Sequence, residues 1–451
     1  MMTYFKALES YSISSHDASF WNKFPTDRGE NGPLMTVPAG QSVDPVASSF
    51  IQASLASGLP LASLGFNDLN ETKRIGAGFY EFNIRDGVRD SVASAFLTKN
   101  LPQNLEIRKG STVLNVVFDS IDHSPMQRSA IGVQYISTND GLLKEAYLRP
   151  NTEGKRQPEI ILSGGAIMTP QILANSGIRE GGDIVDLPGV GKNLQDHPAI
   201  AVAFPVESIL LEELFSYEYS TFDDYLKFEE KKKDQAPEDS KNSGRFGTAG
   251  FSAGAFLKSP WSLQSPDIQL TVFPKRLEPH FTASTQVAPG SKSLNEMLVT
   301  VALLKAEGRY DLQFDSLRSS DINNDPTVPL FQRVKVPRIN PTGDAYLTEH
   351  DIDRLAWGLE EVRRIQKFSP LRENTRAEFY PGTSIKGQKL REFIKANMMT
   401  NAHWCGSTRM GNESDEMTVV DQNLRVKGVK MLRVVDAGVS DPSNFSVFLA
   451  C

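Results

Sequence analysis

Apolar residues recur at helical spacing in a few stretches of this chain and at strand spacing in several others. Between 44 and 58, Val46, Phe50, Ile51 and Leu55 share one stripe, Asp44 can cap, Pro45 suits the first helical position and Gly58 marks the stop. Over 349–367, Ile352, Leu355, Leu359 and Val362 line one face behind Thr348 and Asp351, which form a capping-box-like start. Tyr4–Glu9 reads as a helix already under way with no cap before it, so Met1-Met2 is expected to be an artificial start. After a turn at Arg85-Asp86-Gly87, residues 88–97 read as a short helix. From Leu105 to Tyr135 the text turns strand-like: LEIRKG, TVLNVVFD and AIGVQY alternate or run apolar and are rich in β-branched residues. Residues 159–178 (EIILSGGAIMTPQILANSGI) read as strand, Gly-Gly turn, a helix capped near Thr169-Pro170, and a stop at Gly177. Segments 266–274 and 296–314 read as strands of a sheet, and the chain closes with two short apolar strands and a turn. Residues 15–43 and the charge-rich 227–247 read as loop, the latter solvated. No internal repeat is visible. The fold class that follows is mixed α/β: a dinucleotide-type sheet around 159–176, and a second, α+β layer.

Composition narrows the function. At roughly 150 residues per domain, 451 residues allow about three domains. Hydrophobic residues at 39% and charged residues at 23% permit a packed core and exclude wholesale disorder. A net charge of −7 argues against nucleic acid as a partner. No run approaches the ~20 apolar residues of a membrane span, and no signal peptide is visible. Two cysteines, Cys405 and Cys451, exclude a disulfide scaffold and a Cys-rich zinc site.

Six histidines make each worth weighing. His403 sits in Asn401-Ala-His-Trp-Cys-Gly-Ser-Thr-Arg-Met-Gly411, a poor core sequence that reads as a loop approaching a ligand closely. Imidazole is also the side chain best matched to proton transfer near neutral pH. His197, in Leu187-Pro-Gly-Val-Gly-Lys-Asn-Leu-Gln-Asp-His-Pro198, reads as a structural loop histidine with a local hydrogen bond. The glycines of Ser163-Gly-Gly-Ala let a backbone pass close to a ribose or phosphate. No GxGxxG after an N-terminal strand, no GxxxxGK[ST] and no HExxH is present.

Together these pieces resemble the glucose–methanol–choline (GMC) oxidoreductases, which are FAD enzymes. Gly165-Ala166, Thr169-Pro170, Ile172-Leu173 and Ser176-Gly177-Ile178 match that family's second signature, with Arg179 where the family has Gly. LPGVGKNLQDHP follows in order. NLEIRKGSTVLNVVFD resembles the adenine-binding strand, and VPRINPTGDAYLTEHDIDRLAWGLEEVRRI the substrate-domain strand and helix. NAHWCGSTRMG and VVDQNLRVKGVKMLRVVDAGV resemble the C-terminal catalytic and flavin-binding blocks.

The resemblance implies a discontinuous, Rossmann-like FAD-binding domain lacking its first βαβ unit, with an α+β substrate domain built on an antiparallel sheet. The expected divisions are 1–75, a remnant of the N-terminal region with part of the substrate domain; 76–200, the middle of the FAD-binding domain; 201–400, the substrate domain; and 401–451, the C-terminal part with the catalytic loop. It implies oxidation of a small-molecule alcohol, as in an alcohol oxidase or a choline or alcohol dehydrogenase, with hydride passing to flavin N5. His403 would be the base and Asn444 a second partner that orients the alcohol oxygen. Val113, Gly164, Gly165, Trp404, Asp436 and Ala437 would contact FAD, and no metal is implied. The electron acceptor, oxygen or another, stays open. A remnant that holds no flavin and a flavin-dependent lyase stay open as alternatives. His403-Trp404 favours alcohol oxidation over photodecarboxylation. Strand 159–163 should run parallel to 432–436, so that Gly164-Gly165 and Asp436-Ala437 open onto one crevice.

Overall fold

The structure, a computed structural model, describes residues 2–12, 28–39, 45–62, 66–67, 71–85, 88–97, 101–119, 128–149, 157–206, 249–263, 265–274, 296–314, 336–341 and 346–440. The expected cap Asp44 and the charged stretch 227–247 lie outside these residues.

Six antiparallel strands form the largest sheet, in the order Met399–Thr400, Pro198–Pro205, Glu296–Leu303, Ile268–Phe273, Ala253–Leu257 and Gly76–Phe79. The alternation of its strands sorts side chains onto two faces. Ile200, Val202, Phe204, Leu270, Val272, Met297, Val299 and Val301 point to one face, where they pack against helices Pro45–Ala56 and Glu349–Gln366. The capping box of the second helix is present in full: Thr348 accepts from the Asp351 N–H, and Asp351 accepts from the Thr348 N–H. Its expected apolar face, Ile352, Leu355, Leu359 and Val362, is buried. Gly358 lets this helix close on the sheet, since a Cβ there would lie 2.6 Å from Val301 Cγ1.

A second region surrounds the glycine corner. Strand Ile160–Leu162 runs parallel to Leu432–Val434, with Ile160 opposite Leu432. Strands Ser111–Phe118, Arg128–Ser137, Leu143–Tyr147 and Val429–Lys430 form a four-stranded sheet beside it. Helix Gly165–Asn175 packs Ile172 and Leu173 into the same core as Val116, Leu432 and Val434.

Several expectations change. Residues 105–110 are not a strand: the Leu105 N–H turns back to the Pro102 carbonyl, and Leu105 and Ile107 stay exposed. The stretch 88–97 divides into a two-residue strand, Val88–Arg89, and a helix, Val92–Phe96, capped by Ser91. Leu55 is exposed, while Ala47, Ala53 and Ser54 join the buried stripe. Segment 296–314 splits into Glu296–Leu303 and Tyr310–Gln313, which lie in different sheets. The cause is a turn anchored by Asp351, whose carboxylate accepts the Glu307 and Gly308 N–H groups at 2.9 Å each. Residues 76–79, expected with the FAD-binding part, pair with Ala253–Leu257 in the large sheet, and strand Pro198–Pro205 crosses the expected 200/201 division unbroken.

Candidate active site

The glycine corner is built by a carboxylate. Helix Gly165–Asn175 begins four residues before the expected Thr169-Pro170 cap, with Gly164 as its N-cap and Pro170 inside. Thr169 explains the earlier start: its hydroxyl accepts the Gly164 N–H at 2.9 Å and donates to Asp436 Oδ2 at 2.6 Å. Asp436 Oδ2 also accepts the Gly165 N–H at 3.0 Å, and Oδ1 accepts the Gly438 N–H at 2.8 Å. Two neighbouring parallel strands are thus tied at their carboxyl ends, where an open α/β sheet binds its ligand. Gly165 adopts φ +84°, and no heavy atom lies within 4 Å of the Cβ it lacks, so it presents open space. Pro170 has no N–H to give the Ala166 carbonyl one helical turn back. Ser407 supplies the missing donor, its hydroxyl bonding to the Ala166 oxygen.

Ser407 belongs to the His403 loop, which is laced to everything around it. Gln195 and Cys405 exchange backbone hydrogen bonds of 2.9 and 3.0 Å, Gly191 donates to the Ser407 carbonyl, and Thr408 donates to the Gly438 carbonyl. Asp196, buried, accepts the His403 backbone N–H at 2.8 Å through Oδ1 and the Thr400 hydroxyl through Oδ2. Ala402 takes φ +58°, a conformation that turns the chain sharply just ahead of His403, and its N–H reaches the Thr400 hydroxyl at 2.8 Å.

The two histidines meet. His197 Nδ1 lies 2.9 Å from His403 Nδ1, with the rings edge-on at 86°. Burial pushes the His197 pKa down to about 3, helped by the neighbouring His403 and opposed by a hydrogen bond to the Leu304 backbone carbonyl. Burial also lowers the His403 pKa, with the Asp196 carboxylate opposing it. Both rings are therefore neutral near pH 7. Beside them, the second face of the large sheet presents small or neutral residues: Ala199, Ala302 and Gln269 in one row, Ala201, Thr300 and Thr271 in the next. Tyr80, whose hydroxyl bonds the Leu270 carbonyl and contacts Gln269 and Thr271, closes the far side with Phe251.

Of the expected site residues, Gly164, Gly165, Asp436 and Ala437 come together, and the Gly406 N–H to Ala437 carbonyl contact (3.4 Å) joins them to the His403 loop. Asp436 spends its carboxylate on three internal bonds, so it shapes the corner more than it faces outward. Trp404 is committed to packing: it stands edge-on to Tyr310 at 5.7 Å, in a cluster with Ala166 and Leu194. Val113 lies at a β-bulge, where the register with the Arg128–Ser137 strand shifts. Asn444 lies outside the described residues. Among the described residues no group of His, Cys, Asp and Glu could hold a metal ion. No helix of the described residues is long and apolar enough to cross a membrane. Sequence reading missed Asp196, Thr169, Ser407 and the pairing of His197. The one local signal was Pro170 itself, which demands an outside donor for Ala166.

The architecture has two parts: a parallel-strand glycine corner joined to a histidine loop, and an antiparallel sheet beside them. The chain belongs to the GMC oxidoreductase family, an FAD-dependent group of flavoproteins: the family's N-terminal model matches residues 2–199 and its C-terminal model residues 332–447. It is 29% identical over 428 residues to mitochondrial choline dehydrogenase of Homo sapiens, which covers 91% of this chain and 62% of that protein. It is 27% identical to choline oxidase of Arthrobacter globiformis, over 96% of this chain and 69% of that one. The chain thus spans about three fifths of the length of the human relative. The fold is that of pyridoxine 4-oxidase from Mesorbium loti, with a TM-score of 0.68 at 22% identity, covering 97% of this chain and 71% of that one.

Proposed function

We propose that this chain carries the alcohol-oxidising site of an FAD-dependent GMC enzyme, with His403 as the base that takes the hydroxyl proton. The observation that carries the reading is the His403 loop docked, through Ser407 and Gly406, onto the same glycine corner that Asp436 builds. FAD bound there would supply a hydride acceptor, which no amino-acid side chain can be.

The residues fit such a group. Gly164 and Gly165 offer a backbone corner with open space at Gly165. Two buried side-chain atoms beside the junction lack any partner: Thr408 Oγ1, against Gly438, and Gln195 Nε2, against Gly406. Orphaned buried polar atoms cost ~1–3 kcal/mol each, so a polar ligand edge that satisfies them is favoured. Val113, Trp404 and Ala437 are the further proposed contacts, and Asn444 the proposed partner that orients the alcohol.

His403, neutral at working pH, can accept a proton as the carbinol carbon loses its hydride. Asp196 holds the loop through backbone and hydroxyl hydrogen bonds and so fixes where the imidazole stands. The rows of the sheet face next to the histidines carry Ala199, Ala201, Ala302, Thr300, Thr271 and Gln269, and the buried Glu296 lies further along the same face, opposite Pro205. The substrate class is a small-molecule alcohol. The test is anaerobic: protein loaded with FAD and freed of excess by gel filtration is mixed with uncharged primary and aromatic alcohols, and with choline. Bleaching of retained flavin by at least one of these alcohols is expected. A flavin-bearing protein that no alcohol bleaches would refute the reading.

A further inference from the structure

We infer that Gln269 selects the substrate: its side-chain carbonyl receives a second hydrogen-bond donor, an O–H or N–H group set apart from the alcohol that His403 meets. This rests on the reading of His403 as the base, and it names the kind of alcohol that the site takes.

Tyr80 decides which end of the Gln269 amide is free. The Tyr80 hydroxyl stands 2.8 Å from the Leu270 carbonyl oxygen. Two oxygens at that distance need a proton between them, and a carbonyl has none to give, so the phenol donates there. Toward Gln269 Nε2, 3.0 Å away, the phenol oxygen can then only accept. Only the nitrogen end of an amide donates, so Nε2 belongs on the Tyr80 side and Oε1 is held away from it. The Thr271 hydroxyl, 3.2 Å from the same oxygen, donates to it as well. Tyr80 therefore has no proton left for Oε1. Gln269 is only 7% exposed, and its Oε1 has no hydrogen-bond partner among the described residues. A ligand that brings a donor to such an oxygen is favoured over one that brings none.

The strand register puts this amide on the same side of the large sheet as the histidines. Gln269 pairs with Ala302, and Ala302 with Ala199. His197, in contact with His403, lies two residues before Ala199, so strand alternation turns it to the same face. Gln269 stands two strand spacings from Ala199, about 10 Å, and in that row only the methyl groups of Ala199 and Ala302 come between. Tyr80 takes the other side: its hydroxyl lies over Gly254, on the next strand, where a Cβ would come within 2.5 Å of it. Tyr80 and the alanines thus flank Gln269 from opposite sides. The other polar groups of this face make no such choice. Thr300 carries a hydroxyl, which gives or receives equally well. Glu296 lies six residues from Ala302 along its strand, about 20 Å away. The substrate that fits is a small alcohol whose second donor is separated from the carbinol by a short apolar span that crosses the alanines.

Saturation-transfer NMR titration of the full chain reads binding directly, whether or not flavin is reduced. The ligands are short α,ω-diols and ω-amino alcohols, each beside the n-alkanol of equal length. In the wild type at least one diol or amino alcohol should bind as tightly as its alkanol, because its second polar group is received rather than stranded. Gln269→Met, of similar length but with no comparable acceptor, should weaken that ligand by ~3–10-fold and leave the alkanol almost unchanged. Tyr80→Phe frees the amide to turn its nitrogen toward the ligand and should lower the same preference. The series that loses more names the donor, hydroxyl or amine. If every diol and amino alcohol binds the wild type about tenfold or more weakly than its alkanol, or not at all, the inference is overturned, whether or not the variants fold. Equal losses for the ligand and its alkanol in Gln269→Met also overturn it. Whether His403 is the base is decided separately, by flavin reduction in His403→Ala, so the two readings fail on different measurements.

Discussion

The large sheet and the glycine corner are held by different physics. The six-stranded sheet is a packed body: strand Glu296–Leu303 is buried at every position, and helices seal one face with Ile352, Leu355 and Leu359. Among the described residues the glycine corner has two paired parallel strands; Ile161 on one is 53% exposed, and Val435, just past the other, 44%. Beyond the packing of Leu162, Leu173, Leu432 and Val434, hydrogen bonds hold the corner: Asp436 accepts from Gly165 and Thr169, and Ser407 donates to the Ala166 carbonyl. The contrast places the histidines where rigidity is greatest, since both flank strands of the large sheet, and the proposed flavin contacts where local rearrangement costs least.

Breaking the packed body should cost most. Asp351→Ala removes a fully buried carboxylate that serves Arg354 and the N–H groups of Glu307, Gly308 and Thr348. Losing the 2.7 Å Arg354 ion pair together with the acceptor of three backbone N–H groups should cost about 3–5 kcal/mol in urea unfolding. At the corner, Ser407→Ala leaves the buried Ala166 carbonyl without the donor that Pro170 cannot give, and about 1–3 kcal/mol is expected. Its signature is local: hydrogen exchange should rise in helix 165–175 and not in strand 296–303. Gly165→Ala meets no neighbour, so its cost should be the conformational one alone, about 1–2 kcal/mol, again confined to the corner.

A further effect is graded with pH. Folded His197 titrates near 3, far below its ordinary value of 6.5, so the unfolded chain binds the proton first as pH falls. Its contribution is intact above pH 6.5 and is lost between there and about 3, at up to about 1.4 kcal/mol per pH unit. His403 shifts in the same direction. Thermal melts of the wild type and His197→Asn should therefore converge as pH falls from 7 to 5. Parallel curves would contradict a buried, neutral His197.

Local features and one distant strand pairing were legible in the sequence, and distant side-chain partners were not. Thr348-Asp351 predicts its capping box because both partners lie within one helical turn. The parallel pairing of 160–162 with 432–434 follows from two apolar strands, each leading into a glycine- or alanine-containing turn. The true start of helix Gly165–Asn175 was hidden, because Pro170 reads as a first-turn residue until Ser407, far along the chain, is known to serve Ala166. His197 looked self-sufficient between Asp196 and Pro198, yet its partner is 206 positions away. Residues 105–110 carried an alternating pattern, yet no strand among the described residues pairs with them, and pattern alone does not make a strand.

The central claim is that a histidine fixed by the packed body delivers chemistry at the weaker corner. His403→Ala in FAD-loaded protein tests it most directly, by stopped-flow reduction with a saturating alcohol that bleaches the wild type. Flavin should be retained at wild-type stoichiometry, because His403 lies off the glycine corner, while reduction slows by ~10²–10⁴-fold. Reduction near the wild-type rate would contradict the account and leave His403 a structural residue.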